Sequence, residues 1–156
     1  MLHVVLFEPE IPPNTGNIIR LCANAGATLH LIKPLGFKLD DKSLQRSALD
    51  YRDLAAVKLH ADFQAFRAAC SELRLFAVET GAARGYSDVR YRDGDALLFG
   101  PETRGLPAAV LQQINPAQCV CIPMRAQNRS INLSNAVALV LFEAWRQLEF
   151  AGAHIA

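Results

Sequence analysis

Short apolar runs alternate along this chain with stretches whose apolar residues fall at helical spacing. Residues 2–7 form the first β-rich run, followed by a turn marked by Pro12-Pro13. Behind it, Ile18, Ile19, Leu21 and Cys22 share a helical pattern. Asn14 or Thr15 is placed to cap that helix and Gly26 to end it. Residues 29–32 read as a second strand, closed by Pro34 and Gly36. A weaker helical stretch covers residues 41–49, and a stronger one starts at Asp62 with Phe63, Phe66 and Cys70 in phase. Residues 75–78 form the next strand, leading into a glycine-rich loop over 80–85. Residues 96–99 form another, running into Gly100-Pro101. A short helix follows Pro107 through Val110, Leu111 and Ile114. The last strand covers 120–122, and the last and longest helix 133–148.

Strand and helix alternate at short spacing, and several strands are apolar on both faces. That combination predicts an α/β fold, a mostly parallel sheet flanked by helices. No repeat, low-complexity tract or linker interrupts it, so residues 1–156 read as a single domain with no appended RNA-binding domain. Within the last helix, Ala136-Val137-Ala138-Leu139-Val140-Leu141-Phe142 leaves no polar face across two turns. A helix apolar all round must be buried all round. One side can pack on the sheet, and the other predicts a homodimer interface.

Composition narrows the class. The 156 residues are 51% apolar and 20% charged, a soluble globular balance. The longest apolar run, residues 136–142, falls far short of the ~20 residues of a membrane span. The opening Met1-Leu2-His3-Val4-Val5 carries no basic n-region, so a cytoplasmic location and no membrane partner are expected. Cys22, Cys70, Cys119 and Cys121 form no CxxC pair and have no histidines at zinc-ligand spacing. They read as buried reduced thiols, with no metal. Net charge is only +1, so a nucleic-acid footprint would have to come from locally clustered arginines or from two subunits pooling their surfaces.

Ligands of a parallel sheet sit outside the carboxyl ends of its strands. Four such ends carry glycine, proline or small polar residues: Pro13-Asn14-Thr15-Gly16-Asn17, Thr80-Gly81, Gly100-Pro101-Glu102-Thr103-Arg104-Gly105 and Pro123-Met124. Any βα turn uses such residues, but four on one predicted edge suggest a binding rim. No G-x-G-x-x-G, P-loop, G-x-S-x-G or H-E-x-x-H motif occurs, which favours a ligand without a pyrophosphate, held largely by main chain. Nearby side chains are amides, hydroxyls and arginines: Arg20, Arg104, Arg125, Arg129, Ser130, Asn132, Ser134 and Asn135. Arginine forks suit phosphate. Asn132 and Asn135, one turn apart at a helix start, can address one spot, although one amide or hydroxyl there also serves as the cap.

Three segments resemble the motifs of the SPOUT methyltransferases. They are Asn14-Thr15-Gly16-Asn17-Ile18-Ile19-Arg20, then Leu98-Phe99-Gly100-Pro101-Glu102-Thr103-Arg104-Gly105-Leu106-Pro107, then Ile122-Pro123-Met124 with Arg129-Ser130-Ile131-Asn132-Leu133-Ser134-Asn135-Ala136-Val137. Their order and spacing match as well. Within that family, the compact form and the opening Glu8-Pro9-Glu10-Ile11-Pro12-Pro13-Asn14 resemble the branch that 2′-O-methylates the wobble nucleotide, cytidine or uridine 34, of tRNA.

The resemblance implies a C-terminal trefoil knot, which nothing in the periodicity indicates, and a homodimer with its site between subunits. It implies S-adenosylmethionine (AdoMet) as cofactor, held around Val78, Thr80, Gly100, Ile122, Met124, Ser130 and Leu133. It places Arg20 at the reacting ribose hydroxyl, and Asn17, Arg129, Asn132 and Asn135 toward the tRNA anticodon stem-loop. Other readings remain open at this point: a different tRNA position or rRNA, a non-catalytic RNA-binding module, or an AdoMet enzyme for a small molecule.

Overall fold

The computed structural model describes residues 1–39 and 57–154. Four of the five residues of β1 (His3–Phe7) are buried, because the strand is paired on both edges and covered on both faces. On one edge it pairs with β2 (Thr28–Ile32), and β2 pairs with β3 (Val57–His60). On the other lie β6 (Ala96–Phe99) and then β4 (Leu75–Val78), β7 (Cys119–Cys121) and the two-residue β5 (Arg84–Gly85). The order is β3-β2-β1-β6-β4-β7-β5, and every pairing in it is parallel. The β7 strand inserts between β4 and β5, both of which precede it in the chain.

Successive side chains of a strand point to opposite faces, and the core divides accordingly. Val4 and Leu6 of β1 and Leu97 and Phe99 of β6 join one cluster with α1 (Pro12–Ala25) and α4 (Leu133–Gln147). Val5, Phe7 and Leu98 join the other with α2 (Phe63–Ala69) and α3 (Ala108–Leu111). At about 25 cal/mol per Å², burying one such leucine or phenylalanine stabilises the fold by roughly 1.5–3 kcal/mol, which both helical layers share.

The first helix differs from expectation at its start. It begins at Pro12, with Ile11 as an N-cap that makes no side-chain hydrogen bond. Two prolines in the first turn have no N–H to satisfy, so neither Asn14 nor Thr15 is needed as a cap. Both are buried inside the helix instead. Its end is as expected: Gly26 takes φ +64°, the left-handed conformation that glycine adopts without a Cβ penalty. The α2 helix starts where the sequence places it, the Asp62 carboxylate accepting from the Ala65 N–H at 2.7 Å.

Two strands were not anticipated. The edge strand β3 has exposed Lys58 and Leu59 and so lacks the continuous apolar run of its neighbours. The β5 strand is too short to give a pattern. The helix expected over 41–49 lies outside the described residues. The last strand sits one residue earlier than expected, leaving Ile122 in the loop beyond it. The short helix after Pro107 ends at Leu111, although Ile114 is still buried.

Only one side of the last helix is covered by its own chain. Leu133, Val137, Val140, Leu141 and Ala144 are buried, while Leu139 and Phe142 are 42% and 41% exposed. All four cysteines are free. Cys22 and Cys70 are buried as expected, but Cys119 and Cys121 are only half-buried. No helix of the described residues is long and apolar enough to cross a membrane.

Candidate functional site

The carboxyl ends of β4, β6 and β7 converge with the approach to α4 on one cavity of about 590 Å³. That lies within the usual range for a small-molecule site. The end of β4 contributes Val78, the turn after it Glu79 and Thr80, and β6 leads into the loop from Gly100 to Gly105. The segment after β7 contributes Ile122 and Met124, and the lead into α4 supplies Arg129, Ser130, Ile131, Asn132 and Leu133. All seven residues expected around a cofactor therefore meet at this one cavity, together with Arg129 and Asn132.

Local geometry explains why the β6 loop leaves room there. A Cβ on Gly100 would lie 2.5 Å from the carbonyl carbon of Gly105 and 2.5 Å from the Leu106 nitrogen, both main-chain atoms. Only glycine permits so close a fold-back. Gly105 turns the chain at φ +69° with Glu79 beside it, and the Glu79 carboxylate accepts from the Leu106 N–H at 2.6 Å. The end of β4 thus fixes the far end of the β6 loop.

A second carboxylate ties that loop to α1. Glu102 accepts from the main-chain N–H of Glu10 at 2.9 Å, from that of Ile11 at 3.1 Å, and from the side-chain amide of Asn14 at 3.2 Å. Asn14 in turn accepts from the amide of Asn132 at 3.0 Å. The other end of the Asn132 side chain caps α4, accepting from the Ser134 N–H at 2.9 Å. Charge-assisted bonds to a part-buried carboxylate are the stronger kind, so this chain of contacts joins three distant segments firmly. Asn132 is the cap that the sequence left open between it and Ser134.

Asn17 and Arg20 stand elsewhere. Both are exposed, on later turns of α1, and Arg20 lies six residues beyond Asn14, about 9 Å along the helix axis. Asn135 is also exposed and does not line the cavity, so Asn132 and Asn135 do not address one spot within a single chain. Arg104 lines the cavity but is engaged, with Glu8 at 2.5 Å and Glu10 at 3.5 Å. Its charge is therefore largely offset. Arg125 and Arg129 are exposed.

Reading the sequence missed the two carboxylates that organise the site. Glu79 follows directly on an apolar strand, and Glu102 follows Gly100-Pro101. A charged residue at the end of a buried strand was the available signal for both. Nothing local to Asn14 revealed that its amide spans from Glu102 to Asn132.

The chain matches the model of the SpoU rRNA Methylase family over residues 1–142. It is 57% identical over 153 residues to the tRNA (cytidine(34)-2'-O)-methyltransferase of Escherichia coli K12, covering 98% of each chain. Identity to the protein of the same name from Yersinia pestis is 58% over 158 residues, again with 98% of each covered. Among solved structures, one described by the 2-OH methylation of C/U34 on tRNA superimposes with a TM-score of 0.89 at 45% identity, covering 96% of this chain and 97% of its own. The AdoMet-bound rRNA methyltransferase from Sinorhizobium meliloti gives a TM-score of 0.82 at 25% identity. There the match covers 94% of this chain but 56% of the other.

Proposed function

The chain belongs to the SpoU rRNA Methylase family, and we propose that it transfers a methyl group from AdoMet to the ribose 2′-hydroxyl of nucleotide 34, cytidine or uridine, of tRNA. The observation that carries this reading is full-length similarity at 57% and 58% to tRNA (cytidine(34)-2'-O)-methyltransferases, in a chain whose three motif segments build one cavity. A cytoplasmic site of action goes with a tRNA substrate.

The cavity fits AdoMet. Its volume suits a nucleoside-sized ligand, and the fold-back at Gly100 keeps side chains out of the β6 loop. Main-chain groups at Val78, Thr80, Gly100, Ile122, Met124, Ser130 and Leu133 would hold the cofactor. When bound, AdoMet supplies a methyl group on a positively charged sulfur, with a good leaving group already in place. The protein is left with two tasks, orienting the hydroxyl oxygen and managing its proton. Orientation alone can supply roughly 7–11 kcal/mol.

Arg20 is the candidate for the second task. A guanidinium stays protonated, so it acts by polarising the 2′ oxygen or fixing the adjacent phosphate rather than as a simple base. Arg20 stands apart from the cavity of its own chain, which supports a homodimeric enzyme in which Arg20 and Asn17 face a cavity across the subunit boundary. Exposed Leu139 and Phe142 supply apolar surface for such a contact. Asn17, Arg129, Asn132 and Asn135 are assigned to the anticodon stem-loop. The insertion of β7 between β4 and β5, followed by return of the chain to α1 through α4, suits a C-terminal trefoil knot in the single domain.

The test is transfer of labelled methyl from AdoMet to bulk tRNA, followed by nucleoside mapping. A 2′-O-methyl pyrimidine at position 34 is expected. Incorporation at another tRNA position, or none into tRNA, would overturn the assignment. An anticodon arm made of DNA, which lacks the 2′-hydroxyl, should accept no methyl.

A further inference from the structure

On the sheet face opposite α1 and α4, away from the cavity, three adjacent strands bring together residues that the sequence holds far apart. His3 of β1, His30 of β2 and His60 of β3 form a continuous chain. His30 Nε2 lies 3.0 Å from His3 Nδ1, and His30 Nδ1 lies 2.9 Å from His60 Nε2. The His30 and His60 rings stack at 5.2 Å, and Phe66 of α2 sets its edge against both at 5.3 Å. Cys70 caps the carboxyl end of the same helix and is buried. The ligand atoms of His30, His60 and Cys70 all lie within 4.8 Å of one another.

We infer that His30 Nδ1, His60 Nε2 and the Cys70 sulfur form a binding site for zinc(II), with His3 as the group that orients His30. Two imidazoles and a thiolate are the donor set of a borderline-soft ion. Calcium or magnesium would require oxygen ligands. Bonds of about 2.0–2.1 Å to nitrogen and 2.3 Å to sulfur, at tetrahedral angles, put ligand atoms roughly 3.3–3.6 Å apart. The two imidazole nitrogens need to open by a few tenths of an ångström, and the thiol to close in by about one.

The histidine chain is already arranged for this. Metal-bound histidines generally donate their second ring N–H to a fixed acceptor. Here His30 Nε2–H can donate to His3 Nδ1, which leaves the Nδ1 lone pair of His30 aimed at the ion. On binding, His60 moves its proton from Nε2 to Nδ1 and the Cys70 thiol releases one proton to solvent. One proton thus leaves per ion bound, and no electron moves. A hydrogen-bonded histidine chain would by itself account for the rings. It gives no reason for a thiol whose sulfur lies within 4.8 Å of a ring nitrogen of both His30 and His60, presented by the helix that packs on them.

The experiment is a titration of the full-length, tag-free, chelator-treated protein with cobalt(II), a spectroscopic stand-in, followed by displacement with zinc(II). With a water molecule from solvent as the fourth ligand, one equivalent is expected to give a thiolate-to-cobalt charge-transfer band with intense four-coordinate visible bands, both lost on adding zinc. Cys70→Ser should abolish the charge-transfer band, His60→Gln should weaken binding at least tenfold, and His3→Gln should weaken it about 10- to 100-fold. Cys119→Ser and Cys121→Ser should leave the band intact. Zinc should also raise the melting temperature of the unaltered protein and not that of Cys70→Ala, a reading that survives if the serine variant folds poorly. Absence of a thiolate band at one equivalent, or a band that persists in Cys70→Ser, would overturn the assignment.

Discussion

Asn132 donates to Asn14 at 3.0 Å across 118 residues of sequence. The pair closes a path from Glu102, in the loop after β6, to the first turn of α4. Substituting either asparagine therefore acts on two loops at once.

Asn14→Ala removes the middle of that path from a buried position and leaves the Glu102 carboxylate and the Asn132 amide each short of a partner. A loss of about 1–3 kcal/mol in stability is expected. AdoMet affinity should fall with it, although Asn14 is not assigned to the cofactor. Chemical denaturation and calorimetric titration with AdoMet check the two effects. Unchanged affinity would show that the path is structural only.

Gly100→Ala should abolish AdoMet binding while leaving a folded protein. The added methyl meets main-chain atoms at 2.5 Å, so the loop itself must move. Circular dichroism and AdoMet titration read the outcome. A dissociation constant within twofold of the unaltered protein would refute the assignment of this loop to the cofactor.

Arg20→Lys keeps a positive charge but loses the planar fork. A decrease of about 100-fold in the rate of methyl transfer is expected, with AdoMet affinity unchanged because Arg20 is assigned to the ribose hydroxyl and its phosphate rather than to the cofactor. Single-turnover methylation at saturating tRNA is the measurement. Full turnover by the lysine variant would rule out a need for two aligned donors.

Leu139→Asp combined with Phe142→Asp places two carboxylates on the exposed side of α4. The chain should then run as a monomer in light-scattering chromatography, and methyl transfer should cease while the fold persists. A dimer that survives both changes would locate the subunit contact elsewhere.

Burial pushes the Cys22 thiol up from 9.0 to about 12. The folded state therefore favours the protonated thiol. Its contribution to stability is fully present below pH 9 and is lost as pH rises from 9 toward 12, at no more than about 1.4 kcal/mol per pH unit. Urea midpoints measured between pH 9 and pH 10 should decline, and Cys22→Ala should make the decline shallower without removing it, because burial also raises the Cys70 and Cys119 thiols. Burial also raises the Tyr91 hydroxyl, whose ordinary value is 10.0, so this window precedes its contribution.

The frame of the fold was legible wherever burial wrote a pattern into the chain. Runs such as residues 96–99 are apolar on both faces because helices cover both sides of the sheet. The edge strand β3 faces solvent through Lys58 and Leu59 and left no such record. For the site, the motifs identified the loops that meet at the cavity, since glycine and proline are required there by local geometry. Contacts between loops were not legible. Glu102 reaches Ile11 across 91 positions, and His30 reaches His60 across 30, distances over which no local spacing carries information.

The loop that holds Gly100 springs from β6, whose residues are at most 2% exposed and which is flanked by β1 and β4. In native-state fluctuations, peripheral strands detach at lower free energy than central ones. Opening β3 or the two-residue β5 leaves the pairings of β6 untouched. Amide protons of residues 96–99 should consequently be among the slowest to exchange with deuterium, and the molecule can breathe at its margins while the floor of the cavity stays closed.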